Sequence, residues 1–458
     1  MLDTVSIVYK RDQFERLGKI AGHPMAKSVR SFCFQADRFE RQFWSYEDWK
    51  GELLVNPYRP AARNAIAIPS DWDILNLAAS AARRRAMQHA DLRTQLGISS
   101  EERVRQAYSA YMATVRDQDS VANSEVDLSF LTTFFTGCGK LDHVTLALCE
   151  GADGLIVPNP KLFEDTILRP YGDFTILDQG VDQFWVVAEA LRQSGRAIKH
   201  FTATNVSHRI LSPVWREAPT DSIIKHLMTE LREFRIEFTC RDDDEDQDPK
   251  AEVDIQLHRG QGLLAHWLSS GQDLRVIKIC TYAPKRHYPA PDLQNAFGTE
   301  TWPKLRELGL SGFSTTEDDL VDLLLRHAKS LRRLSLSDIE LLDGSWESTF
   351  RRVAGQLTKL KKVRLRGLLR DPEGDLVMND LDFDGTRIDE WRDNIENCLL
   401  YGREMPDLTE EAKMNLNDPL VEDVPGYRKP GRLDDEDAGY TTDGSAISYG
   451  SDALDARI

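Results

Sequence analysis

Residues 331–341 read LRRLSLSDIEL, with apolar side chains at Leu331, Leu334, Leu336, Ile339 and Leu341. The steps between them are three, two, three and two. A helix repeats near 3.6 and a half-buried strand near 2, so the mixture fits neither alone and its meaning depends on copies elsewhere. Copies exist: LRELGLSGF begins at Leu305 and LKKVRLRGL at Leu360, so apolar residues at relative positions one, four and six recur at steps of 26 and 29 residues. That is the period of a leucine-rich repeat. In such a unit the residues around position four form a short strand and the three apolar positions enter a core shared with the neighbours. The remainder returns as a helix. Residues 311–330, SGFSTTEDDLVDLLLRHAKS, fit the return: Ser314, Thr315 or Thr316 can cap it, acids crowd its first turn, and Leu320, Leu324 and Ala328 share one face.

Weaker copies lie upstream, at Leu274/Ile277/Ile279, Leu231/Phe234/Ile236, Ile198/Phe201/Ala203, Leu141/Val144/Leu146 and Val29/Phe32/Phe34. The spacings 31, 43, 33 and 57 are irregular, as in a degenerate array with insertions. The expected fold is therefore α/β: a degenerate leucine-rich-repeat-like solenoid over residues 1–405, with parallel strands on its concave face and helices opposite. At its start VSIVY reads as a strand, DQFERLGKIAG as a helix and VRSFCF as a second strand. Two helices at about 73–117 interrupt the array. The second is opened by a Ser99–Glu102 capping box and carries Val104, Tyr108, Tyr111 and Val115 on one face. Residues 149–181 and the acidic run RDDDEDQDP at 241–249 read as loops.

At 458 residues the chain exceeds the size at which one compact core stops growing, about 250–300 residues; a solenoid escapes that limit by elongating. No apolar run approaches the ~20 residues of a membrane helix, and the start lacks a basic flank followed by an apolar core. Six scattered cysteines without a CxxC pair suit buried thiols in a reducing compartment, so cytosol or nucleus is expected. The formal net charge of −17 is uneven: residues 371–458 hold 8 Lys plus Arg against 24 Asp plus Glu, and residues 1–370 hold 50 against 51. From about Pro406 apolar periodicity also stops. Residues 406–458 are expected to be a disordered acidic tail.

The stretches FCFQADRFERQFWSYEDW, EERVRQAYSAYMATVRDQ, FTGCGKLDHVTLAL and WPKLRELGLSGFSTTEDDLVDLLLRHAKSLRRLSLSDIEL resemble filamentous-fungal F-box-like proteins with degenerate leucine-rich repeats. The resemblance spans roughly residues 1–405. It implies the substrate receptor of a cullin-type ubiquitin ligase, in which an F-box grips the adaptor and the repeats choose the target. The chain opens directly on VSIVY, and no LPxE-led F-box is visible. Adaptor binding is therefore expected only if an F-box precedes Met1; the alternative is an orphan repeat scaffold unconnected to ubiquitin ligases. Position nine of the repeat, where the family usually has Asn or Cys, is Phe313, Ile339 and Leu368, so the turns are expected to be held by packing.

Motifs that carry chemistry are sparse. DLDFDG, with Asp380, Asp382, Asp384 and Gly385, resembles the start of a calcium loop, but position twelve is Trp391 and not a bidentate Glu; a strand with Leu381 and Phe383 inward is the plainer reading. TGCGKL at 136–141 lacks phosphate-loop spacing and reads as a helix C-terminus followed by a strand. The pairs His200/His208 and His258/His266 cross element boundaries, and no HExxH or GxSxG occurs. No enzymatic activity, cofactor or metal is expected.

The informative cluster is RRVAGQLTKLKKVRLRGLLR, residues 351–370, with eight Lys plus Arg and no acid. In repeat geometry Lys362, Arg364 and Arg366 point to the concave face, with Arg333 and Lys278 at matching places in earlier units. A basic stripe for an acidic protein partner is expected. Nucleic acid fits poorly, because the chain is acidic and no aromatics interleave these strands, and no membrane contact is expected. Repeats followed by an acidic tail also resemble Ran GTPase-activating protein, although the regular asparagine at position nine is missing. A tail of ~50 residues reaches about 35–42 Å, enough to compete for the stripe.

Overall fold

The computed structural model describes residues 3–39, 45–47, 50, 101–148, 180–211, 214–216, 218–239, 262–281, 292–372, 374–378 and 395–403. All belong to one compact unit, residues 1–414. The expected loops at 149–181 (but for its last two residues) and 241–249, the calcium-like segment, residues 73–100 of the helical insertion and the acidic tail lie outside the described residues.

The chain runs β1 (Thr4–Val8), α1 (Arg11–Ala21), β2 (Ser31–Gln35), α2 (Glu101–Ser124), α3 (Val126–Gly137), β3 (His143–Ala147), α4 (Val181–Gln193) and β4 (His200–Ser207). A two-stranded hairpin follows, β5 (Val214–Trp215) and β6 (Ala218–Pro219). Then come α5 (Asp221–Met228), β7 (Glu233–Thr239), α6 (Leu263–Ser269), β8 (Val276–Thr281), α7 (Leu293–Phe297), β9 (Glu307–Ser311) and β10 (Ser314–Thr315). The last are α8 (Glu317–Arg326), β11 (Arg333–Leu341), α9 (Trp346–Val353), β12 (Lys362–Asp371) and β13 (Gly374–Met378). Residues 395–401 are helical.

The protein is α/β with a mostly parallel sheet, whose strands lie side by side in chain order: β1-β2-β3-β4-β7-β8-β9-β11-β12-β13. Every pair along it is parallel except β12–β13. Parallel neighbours need a crossover, and each interval supplies a helix. Consecutive helices touch one another to form the second layer.

Register follows the apolar triplets. Phe32, Val144, Phe201, Phe234, Ile277, Leu308, Leu334 and Val363 are aligned across eight strands, and so are Phe34, Leu146, Ala203, Ile236, Ile279, Leu310, Leu336 and Leu365. All are buried, as are the position-one residues from Val29 to Leu360. Slipping any strand by one residue would exchange its apolar and polar faces. The eight triplets therefore meet in one core, which β1 extends with Val5 and Ile7.

The return segment is capped by Thr316, whose Oγ1 accepts from Asp319 N–H at 3.1 Å. Ser314 and Thr315 instead form β10 against Glu340 and Leu341. At position nine Phe313 and Ile339 are buried, Phe313 edge-on to Phe297 at 6.1 Å. Carboxylates hold adjoining units together. Asp343, just after β11, accepts from Glu317 N–H of α8 at 2.9 Å; Asp371, ending β12, accepts from Trp346 N–H of α9 at 2.9 Å. Glu317 reaches forward to Ser345 N–H at 3.0 Å, Ser348 Oγ at 2.6 Å and Arg352 Nη1 at 2.8 Å. Burial pushes its carboxyl up, but those donors outweigh it and hold the group below its ordinary value.

The helical insertion places Val104, Tyr111 and Val115 of α2 against Val8 and Phe39 in a satellite core. The helix runs on to Ser124, beyond the expected end at 117, and left-handed Glu125 (φ 50°) turns the chain into α3. Gly137 ends that helix where a Cβ would meet the Ala21 carbonyl oxygen, 2.8 Å away. The glycine that opens GCGKL thus serves close helix packing. No helix among the described residues is long and apolar enough to cross a membrane.

Candidate functional site

The face of the sheet opposite the apolar rows carries its chemistry in three further rows. The first runs His143, His200, Glu233, Val276, Glu307, Arg333, Lys362 from β3 to β12. The second runs Thr145, Thr202, Arg235, Lys278, Gly309, Ser335, Arg364, and the third ends Cys280, Ser311, Ser337, Arg366. Period-two alternation puts these residues on one face.

Charges at the two ends are balanced differently. Toward β3 the imidazoles of His143 and His200 stack in parallel planes, centroids 4.0 Å apart and 2° between them. His200 Nδ1 lies 3.3 Å from Glu233 Oε2, and Arg235 Nε sits 2.5 Å from the other carboxylate oxygen. Burial, reinforced by His200, holds His143 below the ordinary histidine value. In the middle Glu307 accepts from two cations at once, Lys278 Nζ at 2.7 Å and Arg333 Nη1 at 3.1 Å. Burial raises its carboxyl, yet the two cations win and leave it below its ordinary value.

The five cations expected to form a stripe therefore divide. Lys278 and Arg333 are bridged by Glu307, a residue the stripe did not include. Lys362, Arg364 and Arg366 stand exposed in a column on β12. Among the described residues no ion pair involves Lys362 or Arg364; on β11 Ser335 faces Arg364, and Ser337, which faces Arg366, donates its hydroxyl to the Asp338 carboxylate at 2.6 Å. The column ends at Arg366 because the next alternate residue is Leu368; the register between β11 and β12 also shifts there, at left-handed Asp338 (φ 53°). The bridging role of Glu307 was visible in sequence only as its place one residue before Leu308 in the aligned units.

Elsewhere the described residues offer little reactive chemistry. Burial pushes the thiols of Cys33 and Cys138 up to about 11 and about 12, so both are protonated at neutral pH. His200 meets His143 and Glu233 and makes no pair with His208; His258 lies outside the described residues. Among the described residues no three or more His, Cys, Asp or Glu side chains are placed to hold a metal. On the helix side a cavity of about 290 Å³ lies between α7 and α8, lined by Leu293, Phe297, Leu323, Asp319, Asp322 and Arg326 among others. Its arginine is engaged by the Gly298 and Glu300 carbonyls.

No protein-family model matches the chain, and no curated protein matches it either.

Proposed function

We propose that this chain is a non-enzymatic protein-recognition domain. Its strand–helix units are read as degenerate leucine-rich repeats stacked into a solenoid, and its partner as an acidic protein that engages the β12 column. One observation carries the reading: aligned strands share buried triplets, while the opposite face exposes positive charge at Lys362 and Arg364 that no carboxylate among the described residues pairs, with Arg366 next in the column. A face of that kind attracts acid and repels base, which serves partner choice and association rate more than raw affinity. The resemblance to F-box-like receptors makes a ubiquitin-ligase target the leading class of partner. Contact with the cullin adaptor is part of this reading only if the protein carries an F-box beyond the described residues.

Affinity purification with mass spectrometry, comparing the full chain with a Lys362→Glu/Arg364→Glu variant of equal melting temperature, tests this reading. Acidic proteins should be captured by the first and lost from the second. An identical set from both would overturn it.

A further inference from the structure

Between the cation column and the Glu307 bridge, the polar face is floored by short side chains. Ser335 and Ser337 of β11 lie between Arg364 and Arg366 on one side and Gly309 and Ser311 on the other. The stem of Lys278 leans over Gly309: a Cβ there would meet Lys278 Cγ at 3.1 Å, and the Lys278 ammonium continues to Glu307. The floor is thus a lane along β11. One wall is the β12 column, the other is the Lys278 stem, and the Arg333–Glu307 pair stands at the end where the strands begin.

Dimensions decide what fits. Neighbouring strands are about 4.8 Å apart, so β8 and β12 are separated by about 14 Å, and inward-leaning side chains narrow the opening below that. A helix with its side chains is about 10–12 Å across, too wide to reach the serine floor. An extended chain fits. Along β12 successive cations repeat about every 6.6 Å, the distance between alternate residues of an extended strand.

We propose that this lane is the docking site for an extended acidic segment of a partner protein, with carboxylates two residues apart meeting Lys362 and Arg364 in turn. Carboxylates on one side of such a segment would meet the column, and the Ser335 hydroxyl offers a hydrogen bond to its backbone, whereas the Ser337 hydroxyl is given to Asp338. The proposal rests on the reading of this face as a recognition surface and adds the conformation and spacing of what is recognised.

Two labelled peptides of equal charge separate the possibilities by fluorescence anisotropy on the full chain. One alternates three aspartates with threonine; the other is an alanine-rich helix with a glutamate at every fourth place. The alternating peptide should bind at least tenfold more tightly, weaken at least tenfold on Arg364→Gln, and lose affinity as salt rises. Ser335→Trp, on the half-exposed polar face, should also abolish binding, because it fills the lane without changing its charge. Its melting curve confirms that the variant folds. Equal binding of both peptides, no binding of the alternating one, or full binding by Ser335→Trp would overturn the lane. Arg364-dependent capture of proteins could survive any of those results, whereas failure of the recognition reading would appear as capture that ignores Arg364.

Discussion

The two faces of one sheet obey different rules. On the buried face the same alignment holds from Phe32 to Val363, and every position is apolar. On the polar face the same strands carry a stacked histidine pair, a carboxylate shared by two cations and an exposed basic column. Each unit must present a matching apolar surface to its neighbours or the core opens. The polar face meets no such demand, so its residues can differ from strand to strand.

That contrast predicts a gradient of effects. Leu334→Asp puts an unpaired charge in the shared core and should cost roughly 3–5 kcal/mol or prevent folding. An unchanged melting temperature would show the faces to be misassigned. Gly312→Ala comes next. Gly312 has φ +77°, donates its N–H to the Ser337 and Asp338 carbonyls, and leaves no room for a Cβ beside the Thr281 carbonyl oxygen. We expect a loss of about 2–4 kcal/mol, read from chemical denaturation.

His327 sharpens the comparison by pH. Its Nε2 accepts from Trp302 N–H at 3.0 Å and its Nδ1–H faces the Leu323 carbonyl at 2.8 Å, so the folded ring is neutral. Burial holds it below the ordinary histidine value despite the Leu323 carbonyl, which favours the charged ring. The unfolded chain takes up this proton first, near pH 6.5. Its contribution is therefore complete above that pH and declines as pH falls toward and through the folded value. The gap in melting temperature between the wild type and His327→Gln should narrow from pH 7.5 to pH 5; a constant gap would mean that the ring does not titrate there.

On the polar face the effects on stability should be small and the effects on charge large. Glu307→Gln removes both ion pairs, yet Arg333 is 65% exposed, so the cost should be about 1 kcal/mol or less. It frees Lys278 and Arg333, and binding of the alternating acidic peptide should tighten severalfold at low salt. Weaker binding would show that the bridge itself shapes the lane. Arg364→Gln should leave stability within about 0.5 kcal/mol, and a larger change would show that the residue supports the fold and does not merely stand on the polar face.

The triplets at positions one, four and six, the helix between Leu310 and Leu331, the strand VSIVY and the cations of β12 are all legible in the sequence, because alternation and period act over a few residues. Other features are not. The antiparallel return of β13, the continuation of the insertion helix to Ser124 and the pairing of His143 with His200 depend on residues far apart in the chain. So does the neutralisation of Lys278 and Arg333. Glu307 lies 29 residues from the first and 26 from the second, and only register brings the three together.

The sequence by itself determined which side chains enter the core, since burial of apolar surface is a local preference summed over the aligned triplets. It also determined that acid and base are segregated along the chain. The tertiary structure alone decided which cations a carboxylate neutralises, because ion pairing depends on distances of a few ångströms between strands. It also decided where the register between β11 and β12 shifts, beside Asp338. A lane floored by Ser335 and Ser337 exists only once β9, β11 and β12 lie side by side.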